Sequence, residues 1–156
     1  MTSMSSDGRT VGRTNIQTAA LAVGAVFLLV GVLGFIPGIT TNYETMGFAG
    51  HESQALLLGI FQVSVLHNIV HLLFGAAGVA MARSAAQSKN YLVIGGAIYL
   101  VLWIYGLLIG KDTAANFVPV NPADDWLHFV LGVAMLGLGF ALSRGTARAG
   151  RPTTAH

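Results

Sequence analysis

Cysteine is absent from the chain, which excludes disulfides, iron–sulfur clusters and thiolate metal sites. Charge is scarce as well. Only 9% of the residues are Asp, Glu, Lys or Arg, against roughly a quarter in soluble domains. A soluble fold of 156 residues would need more charge to cover its surface, so the excess apolar surface must face lipid. The net charge of +2 is too small to attract nucleic acid, and the arginines lie at segment ends rather than in one patch. Nor is there a phosphate-cradling glycine loop, a nucleophile elbow, an HExxH pair or a CxxC pair, so no catalytic residue is assigned. No charged residue lies in the middle of an apolar run, which argues against a coupled ion pump or a charge-lined pore.

What the chain has instead is four apolar runs separated by polar breaks, at about residues 16–36, 65–83, 91–109 and 125–143. Each approaches the ~20 residues that a helix needs to cross the hydrocarbon at ~1.5 Å per residue. Backbone groups at that depth find no water, so helix is the expected conformation. The expected fold is therefore all-α: one polytopic domain over residues 15–143, a bundle of four transmembrane helices, flanked by disordered tails at 1–14 and 144–156. The first run is longer than the apolar core of a secretory signal and lacks a small-x-small cleavage site before Pro37, so it is read as an uncleaved span.

Arg9, Arg13, Arg83, Lys89, Arg144, Arg148 and Arg151 all fall on one side of this arrangement. Lys111 falls on the other, with Glu44, Glu52, Asp112, Asp124 and Asp125. By the positive-inside rule both termini are cytoplasmic and the protein belongs in the plasma membrane. Residues 55–66, ALLLGIFQVSVL, are apolar enough to lengthen the second span. Their alternation, and their likeness to NFVPV before the fourth span, favour an interfacial or partly re-entrant loop over a long tilted helix.

The runs also pair by sequence. His71-x-x-x-Gly75 matches His128-x-x-x-Gly132, and Asn68 matches Asp125 three residues before each histidine. Gly34-Phe-Ile-Pro-Gly38 matches Gly106-Leu-Leu-Ile-Gly110 in the odd-numbered spans. These matches suggest two parallel copies of one helical hairpin. Asn68, with Asp124 or Asp125, reads as a cap at the outer end of its helix. Gly75 and Gly132 read as close-packing positions between helices. Tyr99, Trp103, Tyr105 and Trp126 suit an interfacial aromatic belt.

His67 and His71 are four residues apart and share a helix face, with His128 entering from the other hairpin. The first reading of these imidazoles is structural: they make polar contacts that lock the outer ends of the second and fourth spans. A second reading gives them a ligand role, with a divalent metal on His67, His71 and His128, or haem held axially by His71 and His128. A third makes them a proton or substrate relay, although GAAGVAMA and MLGLGFAL offer no polar path onward.

HNIVHLLFG followed by NPADDWLHFVLG resembles a family of small bacterial four-helix membrane proteins, common in actinobacteria and catalogued as domain-of-unknown-function family 4383. The resemblance extends over about residues 14–143, with His67, Asn68, His71, Gly75, Asp125, His128 and Gly132 on the signature positions. It implies an integral membrane protein of four helices and no established activity. The functional expectation is a non-enzymatic accessory or envelope-associated protein without a cofactor. It would contact membrane lipid and, through its helices, further copies of itself or a larger membrane complex. The alternative is a haem- or metal-binding redox subunit built on His71 and His128.

Overall fold

A computed structural model describes residues 12–149 of the chain. It is mostly helical, with four helices: α1 (Asn15–Leu33), α2 (Val65–Met81), α3 (Ala85–Leu108) and α4 (Pro122–Ala149). Three of them, α1, α3 and the stretch Pro122–Ser143 of α4, are long and apolar enough to cross a membrane, whereas α2 is a shorter apolar helix of 17 residues. The expected tails at 1–14 and 144–156 lie largely outside the described residues, but α4 continues through Ala149, into the segment read as tail.

Local chemistry corrects three boundaries. Helix α1 stops at Leu33, short of the expected residue 36. Phe35 and Ile36 donate instead to Val32 and Leu33 in tightening turns, and the Thr40 hydroxyl binds the freed carbonyls of Leu33 and Gly34 at 3.2 Å each. Helix α3 starts at Ala85, not near residue 91, because the Ser84 hydroxyl accepts from the Gln87 N–H and so caps the polar first turns. Helix α4 begins at Pro122, whose missing N–H costs nothing at the first helical position.

The helices pack chiefly as two pairs, α1 with α2 and α3 with α4. Glycine lets the backbones of each pair meet. A β-carbon on Gly75 would lie 2.6 Å from the Leu28 nitrogen and 2.8 Å from the Gly24 carbonyl oxygen. Across the other pair, a β-carbon on Gly96 would lie 2.9 Å from the Gly132 oxygen. Approach this close is how helices gain contact where lipid offers no hydrophobic drive to associate. Between the pairs, Phe27, Tyr91, Leu92, Tyr99 and Met135 form a buried apolar core.

The segment joining α1 to α2 departs from the all-α expectation. It carries three two-residue strands, β1 (Thr40–Thr41), β2 (Leu56–Leu57) and β3 (Phe61–Gln62), in an antiparallel sheet of order β1-β2-β3. Residues 55–64 are thus a hairpin rather than an extension of α2. Leu57, Ala55 and Val63 bury beneath it against Val30 and Leu33. Leu58 and Gly59 turn the hairpin with φ of 56° and 71°, a left-handed conformation that Gly59 adopts freely and Leu58 adopts at a cost.

Candidate functional site

Two caps organise the end of the molecule where the loops gather. The Ser64 hydroxyl accepts from the His67 N–H at 3.1 Å and starts α2. Asn121 Oδ1 accepts from the N–H groups of Ala123 and Asp124, and Asp124 Oδ2 accepts from the Asn121 N–H at 2.9 Å, a reciprocal box that starts α4. Of the two aspartates expected at the start of α4, Asp124 takes part in the cap, whereas Asn68 and Asp125 are not caps. Their own N–H groups already donate to the carbonyls of Ser64 and Asn121, so the orphan donors of each helix end lie upstream of them. Asn121→Ala is expected to lower stability by ~1 kcal/mol, the usual effect of losing such a cap, and Asn121→Asp to retain most of it. Thermal unfolding midpoints in detergent would check the pair.

The loops close over the helix ends as a roof. Asp124 Oδ2 also accepts from the Gln62 N–H of β3, and Asn121 Nδ2 donates to the Ile60 carbonyl at 2.7 Å. In the segment between α3 and α4, the buried Asn116 side chain donates to the Lys111 and Val120 carbonyls and accepts from the Val120 N–H. Gly50 donates to the Phe117 carbonyl, tying the two segments together.

Beneath this roof stand the three histidines. His67, His71 and His128 are all buried. The rings of His67 and His71 stack with centroids 4.6 Å apart. His67 Nδ1 lies 3.2 Å from the Pro119 carbonyl, and His71 Nδ1 lies 3.0 Å from the carbonyl of His67, one turn back. A carbonyl only accepts, so each Nδ1 carries the proton. A neutral imidazole in that state has its lone pair on Nε2. His128, on α4, has a buried Nδ1 with no hydrogen-bond partner among the described residues. The three side chains border two neighbouring cavities, of about 150 and 200 Å³. His71 meets Phe27, and His128 meets Tyr99, at ring separations of 5.5 and 5.3 Å. Tyr99 is 5% exposed, so it belongs to the core and not to an aromatic belt.

Two of the other signature positions, Asn68 and Asp125, face glycines. Asn68 is buried with its side chain against Gly34, and Asp125 is buried with its carboxylate against Gly106, so a β-carbon at either glycine would collide with it. Asp125 is paired: Lys111 Nζ reaches its two oxygens at 2.6 and 2.8 Å and donates to the Gly106 carbonyl at 2.8 Å. Lys111 was visible in the sequence only as the single cation on its side. Its partner is hidden because the intervening loop, folded around Asn116, brings them together. Among the described residues, no group of three or more His, Asp or Glu side chains is arranged to hold a metal ion.

The family model described as "Domain of unknown function (DUF4383)" matches residues 17–141. The chain belongs to that family. The match takes in all of the roof, the histidines and the Lys111–Asp125 pair, and most of each helix, so these lie within the matched region. No curated protein and no solved structure matches the chain.

Proposed function

We propose that this member of the family is an integral plasma-membrane protein with four spans and both termini in the cytoplasm. In this reading it is built from two copies of one helical hairpin and acts without chemistry of its own, through helix contacts with a second copy or a larger membrane complex. Helix α2, 17 residues long, is about 25 Å from end to end, within the lower range for a span, and packs along α1. The orientation is supported by Arg83 and Lys89 at one end of the helices and by the engagement of Lys111, the lone cation of the other end, with Asp125. The duplication is supported by matched geometry: Gly24 meets Gly75 as Gly96 meets Gly132, and Asn68 covers Gly34 as Asp125 covers Gly106.

The observation that carries the contact role is the outer face of α3. Val93, Ile94, Ala97, Ile98, Val101 and Leu102 line a shallow, almost wholly apolar groove of about 390 Å³. A photoreactive amino acid at Ala97 is expected to give an adduct of defined higher mass in native membranes. The same group at Leu73, exposed on the outer face of α2, should give lipid adducts alone. Lipid adducts alone at both positions would remove the contact role. Haem or a divalent metal on His71 and His128, with or without His67, has less in its favour. Among the described residues the three imidazoles form no three-ligand metal group, and the two cavities are small for a porphyrin.

A further inference from the structure

We infer that the chamber bordered by His71 and His128 is a binding site for a membrane-soluble hydroxylated ring, a phenol or a quinol, entering sideways from the lipid. Size comes first. The cavity between α2, α3 and the roof is about 150 Å³, and an apolar cavity of ~150 Å³ accepts one benzene-sized ring. Its wall is nearly all apolar apart from the imidazoles and tyrosines, as small-molecule sites are, with a few polar groups to set orientation.

The mouth is lateral. Val70 on α2, Leu102 and Tyr105 on α3, and Phe117 of the roof line this cavity and are also exposed, at 43%, 38%, 37% and 57%. Helices α2 and α3 touch each other far less than either touches its own partner, so the opening lies between them. The roof, bonded to α4 through Gln62 and Asn121, covers the other approach. An apolar molecule dissolved in the bilayer reaches such a mouth, and a charged metabolite in water does not. This route rests on the four-span reading; the occupancy of the cavity does not.

Hydrogen bonding selects the class. His71 commits its Nδ1–H to the His67 carbonyl, which leaves an Nε2 lone pair that can only accept. The ligand must therefore donate, and a hydroxyl does where a quinone carbonyl cannot. His128 also borders the cavity, although its Nδ1 is closed off from it and has no hydrogen-bond partner among the described residues. A ring with one hydroxyl toward His71 fits this lining, with Tyr99 and Phe117 alongside as apolar walls.

The test uses the full chain in lipid nanodiscs with ¹⁵N-labelled histidine, titrated with methylhydroquinone, methylbenzoquinone and p-xylene, three rings of similar size. Methylhydroquinone is expected to shift the His71 Nε2 resonance saturably and to bind at least tenfold more tightly than the other two. His71→Phe, which keeps a ring in the space, should reduce its affinity to that of p-xylene. Val70→Trp, at the mouth but outside the α3 groove, should block entry without replacing a histidine, and keeps the test decisive if His71→Phe fails to fold. Equal binding of all three rings would reduce the chamber to a packing void and overturn the assignment. So would the absence of saturable binding, or a shift produced only by added zinc. Loss of the α3 contact role would leave these outcomes unchanged.

Discussion

Gly75→Ala is expected to lower the stability of the protein by ~3 kcal/mol, the upper part of the range for overpacking a well-packed site. The added methyl meets main chain on both sides: the Leu28 nitrogen at 2.6 Å and the Gly24 oxygen at 2.8 Å. Neither can rotate away, so α1 and α2 must move apart along their whole crossing. Against a total stability of ~5–15 kcal/mol this is a large share. Gly24→Ala and Gly96→Ala should behave alike, since their new methyls also face backbone at 2.8 to 2.9 Å. Gly132→Ala should cost somewhat less, because its nearest neighbours, at 2.7 Å, belong to the Leu100 side chain and the main chain, at the Gly96 oxygen, is 3.0 Å away. Gly137→Ala meets nothing within 4 Å and should leave the unfolding midpoint unchanged. A series of midpoints in detergent would show this order. Equal midpoints for Gly75→Ala and Gly137→Ala would mean that the two helices do not meet where the glycines are.

That ordering also marks how far the sequence could be read. The helices were legible as helices because lipid imposes a length and a composition on anything that crosses it. That the glycines sit at helix seams was legible too, but not that Gly24 meets Gly75 and Gly78 rather than Gly132, since a glycine carries no side chain to name its partner. The matched motifs placed His71 and His128 at one depth, and the histidines do border the same cavities. Of the expected caps only Asp124 takes part in one, because Asn68 and Asp125 are good capping residues one turn too late. Ser64 and Asn121 are equally good and occupy the position where the orphan N–H groups begin. The roof was legible only as non-helical. Its strands are two residues long, too short for alternation to reveal pairing, and their order follows from contacts between Thr40 and Leu57 that no local pattern encodes.

Lys111→Met is expected to cost ~3 kcal/mol, the low end of what breaking a buried ion pair costs, because it strands the Asp125 carboxylate. That side chain is 4% exposed and lies against Gly106, so little water reaches the carboxylate to replace the ammonium. The reverse change should be milder. Asp125→Asn leaves an ammonium that is 28% exposed, still accepted by the Gly106 carbonyl at 2.8 Å, and able to turn its flexible stem toward water. The double variant, Lys111→Met with Asp125→Asn, should recover part of the loss, since a neutral amide beside Gly106 is far cheaper to bury than a lone carboxylate. A double-mutant cycle on unfolding free energies measures this coupling directly. Because the carboxylate is buried, the coupling should persist at high salt, where a surface pair would be screened. Equal costs for the two single variants, or a cycle that sums to zero, would mean that Asp125 has another source of compensation. The outer ends of α3 and α4 would then be held by the glycine crossing and the Asn116 loop alone.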